Sequence, residues 1–183
     1  LVGDVLANRT RFWVDDSNGF GFYPVGRGYM GFRFDARDAN NFQDGIIFEM
    51  PGTLIDASCT FAVCPHHAIS LAWLFAHVKV GAYMRCIITV IKGDGAIVAQ
   101  DSFDVDHPDG FARRVRGRAA VGPVCLVPTD EGMIRLKVDN GKISVAKTFP
   151  ETKQWVDDDT TLLLDTGGVF AVNSDSIYKL KLS

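Results

Sequence analysis

The chain has 183 residues, of which 47% are hydrophobic and 22% charged, with a formal net charge of -3. That is ordinary globular material with enough apolar side chains for one sizeable core, so a single domain over 1–183 is expected. The mildly acidic balance offers no general attraction to phosphate or anionic lipid, which sets nucleic-acid binding and membrane insertion aside, and the apolar run 69–76 is too short to cross a bilayer as a helix.

From the N-terminus, the segment 14–31 alternates glycines with large aromatics in Phe20-Gly21-Phe22-Tyr23 and Gly26-Arg27-Gly28-Tyr29. It reads as a strand pair with close backbone contacts that buries its rings, or as a surface loop that presents them. In 30–34 and 46–50, Arg33 and Glu49 face outward and leave Met30, Phe32, Phe34, Ile46, Phe48 and Met50 on inner faces. Strands at 59–63 and 71–80 follow, although 66–77 also admits a short helix. In 84–91, Met84, Cys86, Ile88 and Val90 point one way, and Arg85, Ile87, Thr89 and Ile91 the other. That second face is too apolar for simple solvation, which implies a central strand covered on both sides or a strand lining a groove.

Further strands are expected at 97–105, 111–119, 124–127, 134–138, 143–146, 155–156, 161–164, 169–172 and 177–182. The turn sequences Gly93-Asp94-Gly95, Pro108-Asp109-Gly110 and Asp139-Asn140-Gly141 separate several of them. Asp-Gly and Asn-Gly between alternating runs mark tight hairpins, because those residues tolerate positive φ. No stretch carries a sustained helical period with caps. The expected fold is all-β, a two-sheet antiparallel β-sandwich with Phe34, Phe48, Phe61, Ile88, Leu136 and Val138 in a shared core.

Chemical motifs are mostly negative. Cys59, Cys64, Cys86 and Cys125 alternate with core-type residues and read as buried thiols, with a disulfide as the alternative. Neighbouring His66 and His67 point to opposite sides of an extended chain, which argues against zinc. There is no nucleophile elbow and no phosphate-cradling glycine loop, so a non-catalytic protein is expected. Two constellations remain. Arg114, Arg116 and Arg118 share one face of a single strand, a basic stripe suited to carboxylates or sulfates, to a neighbouring subunit, or to solvent. Trp73, Tyr83 and Arg85 lie near the strand with the partly polar second face, where rings and a guanidinium could hold a sugar.

The order of elements over 57–159 resembles the carbohydrate-binding jelly rolls of the galactose-binding-domain-like class. The residues that carry the likeness are Lys92-Gly93-Asp94-Gly95, Phe111-Ala112-Arg113-Arg114-Val115, Met133-Ile134-Arg135-Leu136-Lys137-Val138 and Trp155-Val156-Asp157-Asp158. The resemblance implies a jelly-roll order. It also implies a structural calcium held by Asp157 or Asp158, with Asp35 or Asp38 completing the shell.

The expected function is a non-catalytic glycan-binding or adhesion module, extracellular or on a virion, such as part of a phage tail fibre or tailspike. A surface glycan or polysaccharide would contact Trp73, Tyr83, Arg85, Arg114 and Arg116. The alternative is a structural capsid or spike domain that acts through assembly as a homo-oligomer. Because the chain opens on Leu1, it reads as a module or fragment of a longer polypeptide.

Overall fold

The computed structural model describes residues 13–15, 19–25, 28–35, 38–62, 71–93, 95–104, 119–155, 160–165 and 168–180. They form strands β1 (Trp13–Asp15), β2 (Phe20–Val25), β3 (Gly28–Asp35), β4 (Asp38–Glu49), β5 (Thr53–Phe61), β6 (Leu71–Val80), β7 (Tyr83–Lys92) and β8 (Ile97–Asp104). The second half contributes β9 (Ala119–Val121), β10 (Val124–Thr129), β11 (Gly132–Asp139), β12 (Lys142–Phe149), a 3-10 helix η1 (Pro150–Trp155), β13 (Thr161–Asp165), β14 (Gly168–Val172) and β15 (Ile177–Leu180). The fold is all-β, as the alternation implies.

These strands make four antiparallel sheets, β1–β4, β5–β8, β9–β12 and β13–β15, and in each the hydrogen-bonded neighbours are consecutive in the chain. The expectation of two sheets is therefore corrected to four meanders. A jelly roll sets non-consecutive strands side by side, and among the described residues no such pair occurs.

The sheets stack face to face in chain order. Phe20, Phe22, Tyr29 and Phe48 of the first pack on Leu74, Ala76, Val78, Ile87 and Ile91 of the second. The opposite face of the second sheet sends Trp73, Phe75, Ile88 and Val90 against Cys125, Val127, Ile134 and Leu136 of the third. The far face of the third sheet packs Leu126, Met133 and Phe149 on Leu162, Ala171 and Leu180 of the fourth. The even and odd residues of β6 and β7 thus enter two different cores, which is the double-sided burial expected of 84–91.

The six residues expected in one core divide accordingly. Ile88 and Leu136, with Val138 beside them, join the second and third sheets. Phe48, with Phe61 beside it, joins the first and second. Phe34 packs with Tyr23, Met30 and Phe32 on the far side of the first sheet. Strand parity explains the difference: Tyr29 pairs with Phe48 and faces the second sheet, so Met30 and Phe32 must face away. The Tyr29 hydroxyl donates to the Phe75 carbonyl at 2.7 Å and ties the two layers together.

The glycine-aromatic segment is the β2–β3 hairpin, with its rings buried. A Cβ on Gly28 would lie 1.8 Å from the Phe48 carbonyl oxygen, so only glycine lets β3 approach β4 there. The Asp139-Asn140-Gly141 hairpin forms as expected, with Asn140 at φ 51° and Gly141 at φ 77°. Cys86 and Cys125 are buried thiols and Cys59 a half-buried one; Cys64, His66, His67 and the turn at 108–110 lie outside the described residues. The helical alternative for 66–77 is settled over Leu71–Val80, which is strand.

Double-sided burial makes a sharp prediction. Trp73 and Leu74 are adjacent, point opposite ways and are each 0% exposed. Trp73→Ala and Leu74→Ala are each expected to cost about 2–5 kcal/mol, read as a fall in the urea unfolding midpoint. A strand with one solvated face would lose stability from only one of the pair.

Candidate functional site

The site is built where the third sheet hands the chain to the fourth. Along β12, Ile143 and Val145 face the second sheet. The register then shifts, with Leu136 opposite Val145 but Arg135 opposite Lys147, so Ala146 is the extra residue of a bulge. After the bulge Phe149 faces the fourth sheet. Its ring lies beneath the Arg135 guanidinium at 5.5 Å and the Lys147 amine at 5.1 Å.

Pro150 then opens η1, a position where the missing N–H costs no helical bond. Buried Thr152 pins the helix down: its Oγ1 accepts from the Met133 N–H at 2.7 Å and donates to the Phe149 carbonyl at 2.6 Å. Gly132 makes room for this packing, with φ 109° and an imagined Cβ only 2.6 Å from the Phe149 carbonyl oxygen. Lys153 reaches back to Glu131 at 2.8 Å. On the other wall, Asn173 Oδ1 accepts from the N–H groups of Asp175 and Ser176, shaping the turn that delivers Ile177 into β15.

Between these walls lies a groove of about 430 Å³, lined by Glu151, Thr152 and Trp155 from the helix and by Ile177, Tyr178, Lys179 and Leu180 from β15. The Trp155 and Tyr178 rings stack with centroids 6.3 Å apart and planes 28° from parallel. Trp155 is 36% exposed and Ile177 70% exposed. An amphipathic ring held at a wet groove by a second ring is a platform for flat apolar faces that carry polar rims.

The residues expected to bind glycan are placed otherwise. Trp73 is corrected to a core residue: it is fully buried, stacks on Phe75 and donates its indole N–H to the Gly122 carbonyl at 3.2 Å. Tyr83 is exposed, and Arg85 forms a surface ion pair with Asp104 at 3.0 Å. These two share the opposite face of the sheet from Trp73, at the other end of the hairpin, since Tyr83 pairs with Val80 and Trp73 with Val90. Seven residues of strand, roughly 23 Å, separate Tyr83 from the pairing partner of Trp73. The three do not form one site.

Arg114, Arg116, Asp157 and Asp158 lie outside the described residues. Asp35 sits in the first sheet, whereas Trp155 and Thr161, which flank the closing aspartates, belong with the fourth. Among the described residues, no three His, Cys, Asp or Glu side chains group to hold a metal.

Sequence reading missed the groove because Trp155 was expected in a strand, yet it ends a helix. The usable signal was Pro150-Glu151, a helix-opening pair directly after an alternating strand. No family model, curated protein or solved structure matches the chain, so the chemistry of the groove itself must carry the functional reading.

Thr152→Val leaves the buried Met133 N–H without its acceptor and is expected to cost about 1–3 kcal/mol. Urea unfolding measures the loss, and a red shift of tryptophan emission should accompany it as Trp155 loosens from Tyr178.

Proposed function

We propose that this chain is a non-catalytic glycan-binding or adhesion module, extracellular or carried on a virion, with the Trp155–Tyr178 groove as its binding site. The single observation behind this reading is the partly exposed Trp155 ring stacked on the half-buried Tyr178 ring at the border of an open groove. Sugar rings present C–H faces to aromatic side chains and hydroxyls to the polar rim, a combination this groove is shaped to take. Neither a jelly-roll order nor Trp73 is needed for it.

Trp155→Ala should weaken retention on immobilised glycans at least tenfold, about 1.4 kcal/mol, while the thermal midpoint moves little because the ring is partly exposed. A native-like melt with unchanged glycan retention would remove Trp155 from the binding surface. Tyr83→Ala serves as the comparison, since it lies in a different layer and on a different face.

A second reading, assembly as a homo-oligomer in a capsid or spike, is favoured by the outer face of the fourth sheet. Strand register puts Leu163, Phe170 and Lys179 in one row and Thr161, Val172 and Ile177 in the next, all facing away from the third sheet. Leu163 is 51% exposed, and the Lys179 amine folds over the Phe170 ring at 5.8 Å. A solvated antiparallel face is normally polar, so this one suits burial against a second copy. Leu163→Glu should shift sedimentation toward monomer if the face assembles; native chain that sediments as monomer at high concentration rules this reading out.

A further inference from the structure

Along β11 and β12, the face of the third sheet that meets the fourth turns basic. Ile134, Leu136 and Val138 of β11 face the second sheet, so Arg135, Lys137 and Asp139 face the other way. On β12, Lys147 lies opposite Arg135 and Lys142 opposite Asp139. Among the described residues, these two strands therefore put four cations and one carboxylate on a single face, with Lys137 and Asp139 paired at 3.6 Å. Arg135 and Lys147 are half-buried at the end next to Phe149, and Lys137, Asp139 and Lys142 are exposed beyond them.

The inner row is the informative one. Arg135 and Lys147 are direct cross-strand neighbours, and like charges in that position repel. Phe149 holds both there: the guanidinium lies 5.5 Å and the amine 5.1 Å from the centre of its buried ring. Two cations kept side by side against one ring, at a cost to the fold, make a seat for an anion that touches both. The guanidinium can fork two oxygens of a carboxylate or sulfate, and the ammonium can take the third contact. From Arg135 to Asp139 the strip runs about 13 Å, long enough for a second anionic group of an extended ligand to meet Lys137 and Lys142. The net charge of -3 gives the chain no general pull on polyanions, so the attraction is confined to this strip. We infer that the β11–β12 face binds acidic glycans, with one sulfate or carboxylate seated between Arg135 and Lys147 beside Phe149 and the next near Lys137 and Lys142. This rests on the glycan-binding reading and adds to it a ligand class and a second contact surface.

The test titrates the full chain calorimetrically with a sulfated galactose hexasaccharide, the same hexasaccharide desulfated, hexagalacturonate and hexaglutamate. Both acidic sugars are expected to bind at least tenfold more tightly than the desulfated one at about 20 mM salt, and to lose about tenfold by about 300 mM as screening shortens the reach of the cations. Arg135→Gln and Lys147→Gln should each weaken the acidic sugars about fivefold. Lys142→Glu, at an exposed position that leaves the Phe149 contacts intact, should do the same. Lys79→Glu makes an equal charge change at an exposed position of the second sheet and should leave binding unaltered. Trp155→Ala should weaken the desulfated sugar and preserve the preference for the acidic ones, which separates the groove from the strip. Acidic and desulfated sugars binding alike, or Lys79→Glu matching Lys142→Glu, overturns the strip and leaves the groove as the glycan site. Hexaglutamate binding as tightly as the acidic sugars also overturns it, because the cations would then seat an acidic peptide. Binding of no saccharide at all overturns the strip and the glycan-binding reading together.

Discussion

The constraint on which the molecule depends is that β6 and β7, the central strands of the second sheet, have no solvent face over most of their length. Every residue of β6 from Ala72 to Val78 is buried. Trp73 and Phe75 serve one core and Leu74, Ala76 and Val78 the other. A sheet with two apolar faces cannot be satisfied by one partner, so it demands a sheet on each side. The third sheet is held in the same way, with the second sheet on one face and the fourth on the other. Four stacked layers follow from that requirement.

Stacked meanders must also manage their edges. The β8 edge of the second sheet and the β12 edge of the third meet where Asp101 Oδ2 accepts from the Ile143 N–H. A carboxylate thereby occupies an edge donor that could otherwise recruit a foreign strand. The Trp73 indole N–H plays a related part inside the stack, bonding to Gly122 in the turn between β9 and β10. Polar groups at these positions fix how the layers sit on each other, and the apolar contacts supply most of the stabilisation.

The groove is a consequence of ending the stack. The bulge at Ala146 rotates the last residues of β12 from one core to the next, and Phe149 is thereby aimed at the fourth sheet. Pro150 and Thr152 then fold the chain into η1 above β15, leaving Trp155 and Tyr178 stacked at a border that no further described layer covers. The fourth sheet offers two uncommitted surfaces, the groove and the apolar outer face, and Ile177 belongs to both. The surfaces proposed for binding and for assembly are therefore neighbours in space.

Many strand positions and the 139–141 hairpin were legible in the sequence because both are local. Alternation at period two marks a strand whatever it packs on, and Asn140-Gly141 prefers positive φ wherever it occurs. The apolar second face of 84–91 was enough to foretell either a central strand or a strand lining a groove, and burial on both sides makes it the first. What the sequence by itself could not decide was which core each apolar face enters. Phe34, Phe48 and Ile88 look alike in a pattern, yet they fill three separate cores, since parity specifies a side of the sheet and not the identity of the neighbour. Trp73 looked available for the same reason: exposure is a property of the layers stacked on a residue. Only the tertiary structure buried one indole under the third sheet and set the other beside Tyr178 at the open end, because that choice depends on contacts between segments far apart in the chain.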